Sequence, residues 1–123
     1  MLGRAKKKLQ QRHAAEDIID STISRLIDLG YINDKEYAIR RAQVLATRGY
    51  GNYYIQYTLE RIGLAEDLVD MAINMVTGGL AEEERIKAVM RKKINLDKDR
   101  LIRHLSYRGF NMETILRVLK EEI

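Results

Sequence analysis

A glycine followed at once by a large apolar residue recurs along this chain, at Gly30-Tyr31, Gly63-Leu64 and Gly109-Phe110. Glycine enters the left-handed backbone conformation without a Cβ penalty, so it ends helices. The 123 residues contain no proline, and Leu, Ile, Ala, Lys, Arg and Glu dominate. Those residue types favour helix. Further breaks fall at Gly51 and Gly78-Gly79, and no segment alternates as a strand would. The pattern predicts eight helices, at about 4–12, 16–29, 35–48, 52–62, 65–77, 81–94, 97–108 and 112–122. In the second, Ile18, Ile19, Thr22, Ile23, Leu26 and Ile27 form a stripe of helical period.

The corners belong to a repeat. At an offset of 46, Leu59, Gly63, Leu64, Val69, Ala72 and Ile73 match Leu105, Gly109, Phe110, Ile115, Val118 and Leu119. At an offset of 50, Leu9, Ala14 and Ile19 match Leu59, Leu64 and Val69, with His13 where the other copies have glycine. Each copy reads helix, corner, helix, and a further helix precedes the second and third. One such unit buries little by itself, so neighbours must stack. The expected fold is all-α: an elongated, right-handed-type stack of tandem three-helix, helix-turn-helix-like repeats, the first one truncated. It forms one domain over 1–123, with units at about 1–33, 34–79 and 80–123.

The joint between the first two units is LGYINDKEYA, residues 29–38. Gly30 stops one helix, Asn33 caps the next, and Glu36 completes a capping-box-like pair. Asp34 opens the new helix. Tyr31 and Ile32 are too apolar for an ordinary turn, so both are expected to be buried where one unit packs on the next. Gly63, Gly109 and Phe110 serve the same structural purpose at the later corners.

Few kinds of chemistry find support. Zero cysteines exclude disulfides and thiolate metal sites. His13 and His104 sit in different units without ligand spacing, so neither metal nor cofactor is expected. Ser21, Ser24 and Ser106 have no histidine nearby in sequence, which leaves nucleophilic catalysis unsupported. No GxxxxGK[ST] loop is present. Glu82-Glu83-Glu84 opens a helix, where acids complement the dipole. No apolar run approaches the length of a membrane span, and the basic start MLGRAKKKLQQRH leads into no apolar core. A non-enzymatic, cytoplasmic protein is the expectation.

Net charge is +4, and its distribution says more than its size. Residues 1–13 hold Arg4, Lys6, Lys7, Lys8 and Arg12 with no acid, and residues 85–108 hold nine Lys/Arg against two Asp. On a helical wheel of 97–108, Leu101, Ile102 and Leu105 make the apolar side, while Arg100, Arg103, His104 and Tyr107 lie opposite. The repeat offset aligns Tyr54 with Arg100, Tyr57 with Arg103 and Arg61 with Tyr107; in the first unit these positions fall on Arg4, Lys7 and Gln11. Stacked units would therefore present a basic and aromatic row. Arg and Tyr suit both protein interfaces and phosphate contact. Two other readings stay open: the tyrosines pack between units while the charges only solvate, or binding falls to Arg91, Lys92 and Lys93.

Taken together, these residues resemble the RecX family of recombination regulators. The resemblance rests on the joint Gly30-Tyr31-Ile32-Asn33-Asp34 followed by Tyr37-Ala38, and on Leu105 with Arg108-Gly109-Phe110 and Leu59 with Gly63-Leu64. It rests also on Arg48-Gly49 running through Gly51 to Ile55, and it covers about 4 to 123. Asn33 stands where the family has an acid, and the first unit is short. The resemblance implies a regulator in recombination and DNA repair that binds the RecA filament along its groove and dampens its activity, with single-stranded DNA nearby. A plain helical DNA-binding module is the alternative, distinguishable by steep salt dependence on free DNA.

Overall fold

The structure is a computed structural model; it describes residues 2–121, with side chains from residue 15 onward. Among the described residues seven helices follow one another: α1 Leu2–Asp28, α2 Asp34–Thr47, α3 Asn52–Arg61, α4 Glu66–Gly79, α5 Glu82–Lys92, α6 Lys98–Tyr107 and α7 Met112–Glu121. The described residues hold no strand. Among them, no helix is long and apolar enough to cross a membrane.

The first two expected helices are one. α1 runs unbroken past His13, and the reason is local. The other copies have glycine at that place, and without it nothing favours the left-handed turn that ends a helix. Leu9 and Ala14, used to align the first copy, have side chains outside the described residues.

Four corners share one construction. Gly30, Gly49, Gly63 and Gly109 all have positive φ, between 80° and 92°. At each, the glycine N–H donates to the carbonyl three residues back, and the next residue's N–H donates to the carbonyl five residues back. The inner partners are Ile27, Ala46, Glu60 and Ser106; the outer ones are Leu26, Leu45, Leu59 and Leu105. This is the Schellman arrangement, whose usual companion is an apolar contact between the residue after the glycine and the one donating the outer carbonyl. The recurring leucine, glycine and apolar residue are thus one capping motif.

Two groups of three helices follow α1. In the first, α2 packs on α4 and α3. Ala38, Ala42 and Ala46 lie at successive fourth positions of α2 and are buried against a core that includes Val69, Ala72 and Val76 of α4. Their small side chains let the helix axes approach closely. Ile55, Leu59, Ile62 and Leu64 complete this cluster, and Ile23 and Ile27 of α1 lean on it. In the second group α5 and α6 pack on α7, around Ile86, Val89, Leu101, Leu105, Phe110, Ile115, Val118 and Leu119. Full burial of each such aliphatic side chain contributes about 1.5–3 kcal/mol.

The joint after α1 has the expected backbone, with Asn33 Oδ1 accepting from Glu36 N–H at 3.1 Å. Its expected burial is corrected. Tyr31 is 79% exposed, and Ile32 is half-buried. The capping bonds satisfy the main chain locally, so the corner needs no covering element. The buried face of α2 begins further on, at Ala38.

A seam joins the two groups. The N–H of Gly51 donates to Arg108 O at 2.8 Å, and that of Tyr53 to Gly109 O at 3.1 Å. Carbonyls of the α6 corner thereby satisfy N–H groups at the start of α3, which its own helix leaves unpaired. A Cβ on Gly51 would overlap the Gly109 carbonyl, and one on Gly109 would lie 2.5 Å from Tyr54 Cβ. Two arginines grip the same place from the other side. Arg85, 1% exposed, donates to Leu80 O (2.9 Å), Tyr50 O (3.0 Å), Asn52 Oδ1 (2.9 Å) and Thr77 Oγ1 (3.3 Å). Arg108 donates to Arg48 O at 2.9 Å and lies over the Tyr50 ring, 4.3 Å from its centre.

Candidate partner-binding face

α3 and α6 hold equivalent places in the two groups, each following a leading helix and preceding a Schellman corner. Their apolar sides, Ile55 with Leu59 and Leu101 with Leu105, are buried. What remains outward is the row that the repeat offset picks out, and its members fare differently.

Tyr57 is 56% exposed and Tyr107 83% exposed, while Arg100 and Arg103 are also exposed. Arg100 faces Asp97 across 3.7 Å, with both side chains open to solvent. Such a pair holds little energy and leaves the guanidinium available. Arg61 is committed elsewhere: it forms ion pairs with Asp17 and Asp20 of α1 and lies over the Tyr57 ring at 5.5 Å. Burial pushes the Asp20 carboxyl up, with Arg41 opposing. Tyr54 belongs to the seam. Its ring stacks on Tyr50 at 4.2 Å, and burial followed by the Tyr50 neighbour pushes its phenol up. Arg4 and Lys7 fall in α1, with side chains outside the described residues.

The free part of the row is therefore Tyr57 on α3 and Arg100, Arg103 and Tyr107 on α6. Tyr53, absent from the sequence-based row, is exposed and accepts a hydrogen bond from Asn111 Nδ2 at 3.2 Å. The seam brings the start of α3 against the end of α6. Arg100 lies at the far end of α6, roughly 10 Å along the helix from Tyr107 at about 1.5 Å per residue. Arg91, Lys92 and Lys93 are exposed at the end of α5, where cations complement the dipole.

One basic residue of the 85–108 cluster is misplaced by sequence reasoning. Arg85 is a buried tie and no part of a surface. Its acceptors come from the α2–α3 joint, α3 and the end of α4, and helical periodicity gives no sign of them. Among the described residues no group of three His, Asp or Glu side chains is placed to hold a metal.

Comparison with known proteins gives a consistent picture. A protein of Pseudomonas fluorescens strain SBW25 named Regulatory protein RecX is 29% identical over 120 residues, 92% of this chain and 76% of the relative. One of the same name from Ectopseudomonas mendocina strain ymp is 28% identical, over 93% of this chain and 79% of its own. Another from Leuconostoc citreum strain KM20 is 24% identical over 89% of this chain, though only 44% of its own length is matched. No family model matches, and no solved structure does. The resemblance read from the residues is borne out: curated proteins of this name from several species match nearly the whole chain.

Proposed function

We propose that this chain, a relative of the RecX regulatory proteins along nearly all of its length, is itself a regulatory protein that acts by binding and performs no catalysis. Its partner in this reading is the RecA recombinase filament, whose activity it dampens in recombination and DNA repair inside the cytoplasm. The helical groups form an elongated stack, and Tyr57, Arg100, Arg103 and Tyr107 line the face laid along the filament groove. The observation that carries the reading is the continuity of the similarity across 92% of the chain, corners and outward helices included. A filament is repetitive, so linked contacts on successive subunits gain from effective concentration even where each alone is weak.

The test is co-sedimentation with RecA filaments, with and without single-stranded DNA, combined with inhibition and thermal melting of variants. Tyr57→Ala and Arg103→Ala should weaken inhibition, by about 2 kcal/mol each if they are central anchors. Arg100→Glu should act more strongly, because it reverses a charge facing an anionic partner. Melting temperatures should barely change, since all three side chains are exposed. Full inhibition by a folded triple variant would move the face elsewhere, first to Arg91, Lys92 and Lys93. Tight binding to free DNA that collapses with salt, without any need for RecA, would overturn the reading in favour of a DNA-binding module.

A further inference from the structure

Behind the seam, a cavity of about 60 Å³ opens where α2, α5 and α6 come together, lined by Arg48, Lys92, Lys93, His104 and Arg108. Each of these residues sits in or just after the last turn of its helix. The simplest account of such cations is that they complement the negative helix ends. That account falls short in magnitude. Three helix ends carry about half a negative charge each, so four Lys/Arg cations leave an excess of about two and a half positive charges. Among the described residues no carboxylate forms an ion pair with any of them.

Two further features point to a missing acceptor. His104 Nε2 and Arg108 Nε are shut off from solvent with no hydrogen-bond partner among the described residues. Buried polar atoms without partners are uncommon, and each costs about 1–3 kcal/mol. Burial holds the His104 imidazole below its ordinary pKa, and Arg108 and Lys93 push it the same way. These surroundings disfavour the imidazolium, and a bound anion would favour it. By volume the cavity exceeds the roughly 10–15 Å³ that one water needs on a water-probe measure.

We propose that this cavity is an oxyanion site of the phosphate class, held by Arg48, Lys92, Lys93, His104 and Arg108, and that its occupant ties α5 and α6 to the end of α2. The ligand chemistry is a tetrahedral phosphoryl group, from free phosphate or from a nucleic-acid phosphodiester. Occupancy stiffens the seam, because the groups it bridges come from both sides. The inference stands independently of the RecA reading.

The chain has two histidines, so imidazole resonances are readily assigned with a His13→Gln variant. The experiment titrates the folded protein with inorganic phosphate against chloride at matched ionic strength, then adds a short oligothymidylate. Saturable shifts of the His104 ring, a rise in its pKa and a higher melting temperature in phosphate are the expected results. A Lys92→Gln/Lys93→Gln variant, altered only at exposed positions, should weaken apparent phosphate affinity by about tenfold, the weight of a lost charge-assisted contact. Displacement of phosphate by the oligonucleotide assigns the occupant to nucleic acid; simultaneous binding assigns it to free phosphate. Shifts that grow linearly without saturation, or that are unchanged in the lysine variant, overturn the proposal.

Discussion

Arg85 offers the sharpest test of what holds the two helical groups together. Its guanidinium is buried and reaches four acceptors, two of them main-chain carbonyls, Tyr50 O and Leu80 O. Burial alone pushes its pKa down, with Glu82 opposing, so the charged form is there at a cost. Two outcomes compete when such a group is replaced. A well-packed apolar side chain removes the desolvation cost and can be neutral or stabilising; losing the donor while its neutral acceptors stay buried destabilises. The second case applies here, because no substitution at 85 can remove a backbone carbonyl. Each orphaned acceptor costs about 1–3 kcal/mol.

Arg85→Met should therefore lose about 3 kcal/mol, and Arg85→Ala more, since it adds a cavity. Arg85→Lys should lose least, because the ammonium keeps the charge and some donors but lacks the fork. Against a total stability of about 5–15 kcal/mol these are large fractions. The assay is urea unfolding followed by circular dichroism, with amide exchange read at Gly51 and Tyr53. Those two amides report the seam directly, through their bonds to Arg108 O and Gly109 O. A Met variant within about 0.5 kcal/mol of the parent, with both amides still protected, would refute the argument. The carbonyls would then be satisfied without Arg85.

Three further outcomes follow from the geometry. Gly51→Ala should open the seam and speed exchange at Tyr53, because its Cβ would overlap the Gly109 carbonyl, whereas Gly78→Ala, with no atom within 4 Å, should be neutral or stabilising by up to about 1 kcal/mol. Ile32→Ala should cost about 1 kcal/mol in urea unfolding and not the 2–5 kcal/mol of a fully buried site, since the side chain is only half-covered. The lowered folded pKa of His104 means the unfolded chain takes up its proton first as pH falls. That contribution to stability is intact above the unfolded value near 6.5 and is lost as pH falls from there through the folded value. Urea midpoints in phosphate-free buffer should therefore drop more for the parent than for His104→Gln between about pH 7.5 and pH 5.5.

The helices from α2 onward were legible in the sequence because their ends are written in local chemistry. Asn33 and Asp97 accept from the third N–H of their helices, and glycines close α2, α3 and α6. The break expected at His13 came from extending the repeat to a copy that lacks the glycine, and propensity there favours continuing the helix. The outward row was half legible. Helical period separates inward from outward at Tyr57, Arg100, Arg103 and Tyr107. It carries no information about which outward residues meet another element. Tyr54 and Arg61 occupy the same wheel positions as Arg100 and Tyr107, yet Tyr54 is taken up by the seam and Arg61 by Asp17 and Asp20.

What period could not reveal is why the corner at residues 48–51 draws bonds from both groups. The end of α2 leaves carbonyls that its own helix cannot satisfy, as any helix end does. Two of the carbonyls at this corner are met from the second group: Arg48 O by Arg108 and Tyr50 O by Arg85. The start of α3 returns the relation, donating from Gly51 and Tyr53 to the α6 corner. Each group thus completes the other's unpaired main chain, and the close approach admits no Cβ at Gly51. Reciprocal bonds of this kind fix the angle between α3 and α6, not merely their proximity. The binding face proposed for both helices would then be presented in one arrangement before any partner arrives. Binding through Tyr57, Arg103 and Tyr107 would lose less ordering entropy than binding through a hinged pair. The same reciprocity makes the seam the natural place for a bound anion to act, since tightening it stiffens the whole outward row.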